Sequence, residues 1–578
     1  MWFQKRTGIL QALLRKEPTY IRAVDGLDLD IRKGEVFCLV GESGCGKTTT
    51  GKGILRLVEP TGGDVFLEPP VDILSRYAEL SASNRDASTD REFHELRGRH
   101  SLSYTPVVRA TRREVAVVLG AALAAAVAAV LVAVPFSAAH ILWGWFPVGH
   151  VVPGVAVGFL GTRPPVRLLR RLPAILAALS ILTVFLADLL GASLSLGSAG
   201  LRPDIESISG RYGGLWQTET GLLLLGYGFA VLGALAGGSW FKRRREASEG
   251  FEADKIRKLR RKLQIIFQDP YESLNPKHSV LDIVAEPLKV NRYTRNPREL
   301  EERVVRALRD AGLRPPEEFL FRFPHELSGG QRQRVSIAAA LVLEPEFIVA
   351  DEPVSMLDVS IRTEILDLLL ELRRTRGLTY LFITHDLSLA WVVSDRIAVM
   401  YLGKIVEMGP TRDLVRSPRH PYTRALISVV PVPDPTKRRE RIILKGERPD
   451  PSDIPTGCRF HPRCPLAFEK CGWNAKELAE ELTQVLASGG LSQVASVEPL
   501  GMTALRVVPR EGTTPGELAD TLRSVFSAQR EKRLPFKGAN AVEVHGADVV
   551  VTMQEWAEPQ LLSTGPDYAV ACHLAVPA

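Results

Sequence analysis

Leu327–Arg334 reads LSGGQRQR, and Phe347–Pro353, a little further along, reads FIVADEP. Phe347–Ala350 is an apolar run fit for a buried strand, and it ends in the acidic pair Asp351–Glu352. Far upstream, Val36–Val40 is a run of the same kind, followed at once by GESGCGKTT (Gly41–Thr49). That stretch matches the phosphate-binding loop GxxxxGK[ST] at Gly41, Gly46, Lys47 and Thr48. Glycines let such a loop fold around phosphates with its N–H groups turned inward, and a helix starting near Lys47 adds the partial positive charge of its N-terminus. Lys47 is then placed to reach the β- and γ-phosphates and the Thr48 hydroxyl to ligate Mg²⁺, with Ser43, Gly44, Cys45 and Thr49 completing the cradle. The loop alone marks many nucleotide-hydrolysing families. The second strand narrows the reading: Asp351 is placed to bind Mg²⁺, directly or through water, and Glu352 to act as general base or to position the attacking water. A helix cap is the bland alternative for an acidic pair at a strand end, and Pro353 with SMLD (Ser355–Asp358) argues against it.

Downstream, Ile361, Ile365, Leu368, Leu369 and Leu372 share one helical face within Ser360–Arg376. Arg373, Arg374 and Arg376 crowd the end of that helix, and Gly377 is its expected cap. Leu378–Thr384 then reads as a strand with His385 at its tip.

LSGGQ followed by ADEP resembles the ATP-binding-cassette (ABC) ATPases. The resemblance implies that Ser328, Gly329, Gly330 and Gln331 cap the ATP held by a second, facing subunit. It also makes Ser355–Asp358 a loop that contacts that subunit, with Met356 where alanine is usual. His385 matches the switch histidine that senses the γ-phosphate, and Gln268 in IIFQDP (Ile265–Pro270) matches the glutamine that touches Mg²⁺ and the attacking water. Tyr20 is the nearest aromatic upstream of the phosphate loop, where family members stack an aromatic on adenine. The flanks are similar to oligopeptide/dipeptide importer ATPases: FQDPYESLNP (Phe267–Pro276), FPHELSGGQRQR (Phe323–Arg334), HPYTRALISVVPVPDP (His420–Pro435) and CRFHPRCP (Cys458–Pro465). Their wording resembles the F-type subunit, which implies a D-type ATPase partner or a self-dimer, two permease subunits and an extracytoplasmic solute-binding protein. Ala339 departs from the arginine usual there.

Six cysteines are present. Met1–Lys16 holds no continuous apolar core, so the ATPase is expected to stay in the cytoplasm, where thiols favour metal over disulfides. Cys458, Cys464, Cys471 and Cys572 resemble the family's cysteine cluster, implying a [4Fe–4S] centre, with Zn²⁺ as the alternative. The span between Cys471 and Cys572 is far longer than the family pattern; Ala504–Val508 and Ala541–Met553 read as strands around a helix at Pro515–Gln529.

The chain carries a net charge of +7 and is 45% hydrophobic and 24% charged, an ordinary globular average that hides one sharp local departure. Val115–Phe136, Ile141–Gly161, Leu172–Leu194 and Gly221–Phe241 are four apolar runs long enough to cross a bilayer. Arg109, Arg112 and Arg113 precede the first, Arg163, Arg167, Arg170 and Arg171 separate the second and third, and Lys242–Arg245 follow the fourth. Positive flanks put both ends of this insertion in the cytoplasm, and they account for the basic excess without nucleic acid.

The expected fold is therefore α/β: a P-loop NTPase core of ABC type, with RecA-like, antiparallel β and helical subdomains. An all-α transmembrane insertion interrupts it, and a Cys-containing extension follows. The expected divisions are 1–75 and 251–425 for the ATPase, 76–250 for the insertion and 426–578 for the extension. The expected function is ATP-driven uptake of oligopeptides or dipeptides at the plasma membrane, with the ATPase on the cytoplasmic side. An exporter half with its own pathway is the first alternative; its kind resembles a six-span domain fused ahead of the ATPase. A non-transport ABC protein acting on nucleic acid or ribosomes is the second; those usually carry tandem cassettes.

Overall fold

Near the N-terminus, strands β1 (Trp2–Gln4) and β2 (Tyr20–Arg22) pair antiparallel. The main sheet then takes β3 (Val36–Val40), β4 (Leu263–Ile266), β5 (Phe347–Asp351), β6 (Thr379–Thr384), β7 (Arg396–Tyr401) and β8 (Lys404–Pro410). A separate sheet holds β9 (Val494–Leu500), β10 (Ala504–Pro509), β11 (Ala539–His545) and β12 (Asp548–Met553), after which β13 (Leu562–Gly565) and β14 (Tyr568–Val570) return to the main sheet. This computed structural model describes residues 1–4, 20–82, 87–102, 259–431, 440–444 and 446–575. It divides into two units, Met1–Tyr104 with Arg257–Ala578, and Thr105–Ile256. The four apolar runs lie in the second unit, outside the described residues. Among the described residues no helix is long and apolar enough to cross a membrane.

The main sheet runs β13-β14-β8-β7-β3-β6-β5-β4. From β7 to β4 all neighbours are parallel, and β8, β14 and β13 add antiparallel at the other side. Every residue of β3, β5, β6 and β7 is buried, as parallel strands covered on both faces require. Their near-continuous apolar runs follow from that burial. Because β3, β4, β5 and β6 are parallel, their carboxyl ends open on one edge of the sheet, where ligands of doubly wound folds bind.

The helix Val359–Arg376 buries Ile365, Leu368, Leu369 and Leu372, the stripe expected from spacing, and Gly377 closes it. Ile361, half-buried against the same core, also packs on Gly330, where an added Cβ would meet Ile361 Cγ2 at 2.7 Å. Helices Val280–Val290, Pro297–Asp310 and Gly329–Leu341 pack on one another around Val284, Leu288, Val304, Leu308 and Ile337. Ser279, Asn296 and Ser328 cap their N-termini by accepting backbone N–H bonds. The antiparallel β subdomain is represented, among the described residues, by the β1–β2 pair and a single bridge between Phe66 and Ser101. The helix Val71–Ala82 runs across the expected boundary at residue 75.

In the extension, the expected single strand Ala541–Met553 is instead the hairpin β11–β12, turning at Gly546–Ala547. The helix Pro515–Gln529 lies as expected, and the helix Ala475–Ala487 and β9 complete the layer. After this sheet the chain returns to pair β14 with β8, Ala569 against Met408 and Val570 against Glu407. Glu407 is fully buried and accepts from the N–H groups of Arg419 (2.6 Å) and His420 (3.1 Å) and from the Tyr568 hydroxyl (2.6 Å). A hydrogen bond to a buried charged group contributes about 1.5–3 kcal/mol. Tyr568→Phe is accordingly expected to lower the urea midpoint of the chain, with the largest loss of hydrogen-exchange protection in β8 and β14; an unchanged midpoint and protection would show that this contact carries no weight.

Candidate functional site: a nucleotide cradle at the strand ends

The loop Gly41–Gly46 leaves β3 and feeds the helix Lys47–Ile54. Gly46 has φ +109°, and a Cβ there would meet the Ala23 carbonyl oxygen at 2.0 Å, so the position admits only glycine. Lys47 is buried, and its ammonium donates to the carbonyls of Gly41 (2.7 Å) and Glu42 (3.1 Å), curling over the loop. The Thr48 hydroxyl donates to Asp351 Oδ1 at 2.9 Å, tying the start of this helix to the end of β5. Ser43 and Gly44 are exposed, Cys45 is buried, and Thr49 is half-buried on the first turn.

Asp351 is buried, and burial pushes its carboxyl above the usual carboxylate range; the Thr48 hydrogen bond opposes this and the neighbouring Glu352 adds to it. Two oxygen donors, Thr48 Oγ1 and Asp351 Oδ1, thus face one point, a set suited to a hard divalent cation. Glu352 follows with φ +47°, held there by its N–H donating to the Ile383 carbonyl at 2.9 Å. Its Oε2 accepts from Gln268 Nε2 at 3.2 Å, and its Oε1 lies 3.1 Å from His385 Nδ1. Gln268 comes from the loop after β4 and His385 from the end of β6, so three strand ends deliver one cluster. A cavity of about 50 Å³ lies beside it, lined by Glu352, Ser355, Arg362 and His385.

Ser328 caps the helix Gly329–Leu341: its Oγ accepts from Gln331 N at 3.3 Å, and its own N–H donates to Gln331 Oε1 at 3.0 Å. Ser328 is exposed and Gly329 and Gln331 are half-exposed, whereas Gly330 is buried against Ile361. Tyr20 is exposed on β2 with its ring 6.4 Å from that of Trp2, an aromatic the sequence reading did not single out. Arg22 stacks on Trp2 at 4.5 Å. The β2 segment reaches the loop through Ala23, whose carbonyl abuts Gly46.

The four extension cysteines do converge. Cys458, Cys464, Cys471 and Cys572 line one cavity with His420 and His573, and β14 is what brings Cys572 there. Burial pushes Cys458 and Cys464 up to about 12. The expected metal site is corrected in one respect: among the described residues no group of three His, Cys, Asp or Glu side chains closes on a single ion. The thiols are spread around a small void of about 10 Å³.

Comparison with known proteins bears on this geometry. The ABC transporter family matches residues 24–121 and 236–355, and the oligopeptide/dipeptide transporter C-terminal region matches 406–471. The oligopeptide transport ATP-binding protein AppF of Bacillus subtilis is 50% identical over 231 residues, 39% of this chain and 69% of that protein. The chain belongs to the ATP-binding-cassette ATPases of the oligopeptide/dipeptide transporter family. The dipeptide transport ATP-binding protein DppF of Haemophilus influenzae is 48% identical over 221 residues, 38% of this chain and 67% of that protein. ABC ATPases hydrolyse ATP and couple hydrolysis to transport, and this ABC ATPase has its acidic pair, phosphate loop, Gln268 and His385 gathered at one sheet edge. Gly46→Ala is expected to weaken binding of a fluorescent ATP analogue at least about tenfold, because positive φ and the Ala23 carbonyl together exclude a side chain; unaltered affinity would remove this loop from the site.

Proposed function

We propose that this chain is the ATP-hydrolysing motor subunit of an importer for oligopeptides or dipeptides. The cluster of Gln268, Glu352 and His385 beside the Thr48–Asp351 contact carries the reading. Lys47 and the loop N–H groups bind the β- and γ-phosphates, and Tyr20, with Trp2 beside it, offers the adenine a stacking face. Thr48, Asp351 and Gln268 would hold Mg²⁺, which when bound supplies positive charge against the β- and γ-oxygens. Glu352 orients the attacking water and accepts its proton. Both of its carboxylate oxygens are engaged, so one must be released first. The Gln268 and His385 contacts are of similar length and both come from exposed side chains, so loss of either one frees an oxygen for the water.

ABC ATPases of this kind work as dimers with permease subunits. Exposed Ser328 at a helix start is suited to close over the triphosphate of a facing D-type or identical subunit. Two permeases and an extracytoplasmic solute-binding protein complete the complex, which puts this ATPase on the cytoplasmic side of the plasma membrane. The four apolar runs with their arginine flanks support a membrane anchor inserted within the ATPase. For the thiol cavity we favour a [4Fe–4S] centre over Zn²⁺. What supports it is that all four cysteines line one cavity, as the family resemblance implies.

Glu352→Gln in the assembled transporter is expected to keep fluorescent ATP-analogue binding within about twofold while phosphate release falls at least about a hundredfold, the lower range for loss of a general base. Wild-type-like phosphate release would take Glu352 out of the chemistry.

A further inference from the structure

Glu42, the second residue of the phosphate-binding loop, is contacted through its carboxylate, its N–H and its carbonyl. Its carboxylate accepts from Arg463 Nη1 at 3.0 and 3.2 Å. Its N–H donates to the Tyr422 hydroxyl at 3.1 Å. Its carbonyl accepts from Lys47 Nζ at 3.1 Å and from the Cys45 N–H at 3.2 Å. One residue on, the Ser43 carbonyl accepts from Arg448.

Tyr422, Arg448 and Arg463 all fall within residues 406–471, the stretch matched by the transporter C-terminal region, whereas the ABC match ends at 355. Arg448 and Arg463 come from the extension beyond residue 425, and Tyr422 from the helix Pro421–Ser428 that leads into it, so the extension itself places two side chains on the nucleotide loop. They are firmly backed. Tyr401 hydroxyl lies 3.4 Å from Arg463 Nη1, and Phe460 packs against Tyr401 and Tyr422 at 5.3 Å each. Arg459 donates to the Leu402 carbonyl at 2.6 Å and to Glu558 at 3.1 Å, bolting the same segment to the main sheet. The bland reading is that the extension simply packs on the core and the ion pair is glue. Position argues otherwise. The Arg463–Glu42 pair is only 11% and 28% exposed, and it neutralises a carboxylate inside a loop whose ligand is itself polyanionic. Without the guanidinium, that carboxylate would repel a triphosphate across a poorly screened distance.

We propose that the C-terminal extension is a positioning clasp for the nucleotide site. Arg463 masks the Glu42 charge and, with Tyr422, holds the first turn of the loop in its phosphate-receiving shape. The inference rests on the reading that Gly41–Thr49 binds the triphosphate.

The test uses the full chain, a trinitrophenyl-ATP titration, and ATP kinetics in the assembled transporter. Arg463→Met is expected to raise the Kd about tenfold, equal to about 1.4 kcal/mol, with a parallel rise in KM for ATP and a much smaller change in kcat. Adding Glu42→Gln should restore most of that affinity, because no uncompensated charge remains. Glue between packed parts would instead lower the urea midpoint of Arg463→Met while leaving its Kd and its KM for ATP within about twofold of wild type. A double variant that binds as weakly as Arg463→Met, or an Arg463→Met that binds like wild type, overturns the clasp. If Arg463→Met does not fold, Arg463→Gln carries the same comparison. Wild-type chain that failed to bind the probe at all would sink the loop reading, a different outcome from either.

Discussion

The hydrogen bond from the Thr48 hydroxyl to Asp351 joins two strand ends that are not neighbours. β3 and β5 are separated by β6, and the three are in register: Val40 lies opposite Thr384, and Asp351 opposite Ile383. Parallel pairing at that register sets the loops after β3, β5 and β6 at one level. The phosphate loop, the acidic pair and His385 then need no further device to meet. A shift of one residue in either pairing would turn alternate side chains to the opposite face and separate the donors. The burial of β3, β5 and β6 on both faces is what makes such a shift costly.

Much of this was readable in advance because the relevant signals are local. The GxxxxGK[ST] spacing, the strand ending in Asp351–Glu352 and the apolar stripe of Val359–Arg376 each depend on a dozen residues or fewer, and each fell where pattern placed it. Other features depend on partners far away in sequence. CRFHPRCP was read for its cysteines, and nothing in its spacing told that Arg463 would lie on Glu42, 421 residues away. That Trp2 lies beside Tyr20 is invisible until β1 pairs with β2. The single strand expected over Ala541–Met553 failed because an apolar alternation does not reveal a two-residue turn at Gly546–Ala547.

The surface around Ser328 has its own character. Ser328 is committed on one side to capping its helix, yet its hydroxyl proton is not used by that cap. Near it, in the segment before and at the start of Val359–Arg376, Met356 and Val359 are 58% and 76% exposed. Apolar side chains next to a helix terminus suit a contact that forms and releases with the nucleotide, since a larger permanent patch would hold two subunits together throughout.

The pairing of β14 with β8 has a consequence for biosynthesis. The strand that covers the β8 edge is made 161 residues after the residue it serves, as the Tyr568–Glu407 contact measures. Until the ribosome has delivered it, the nascent sheet presents an open flank of unpaired N–H and C=O groups, with buried Glu407 short of one donor. Everything needed for the nucleotide cradle emerges much earlier. Translation thus yields a nearly complete motor whose open edge is vulnerable to aberrant pairing or to chaperone capture, and the closing of that edge coincides with the arrival of Cys572 at the other three thiols.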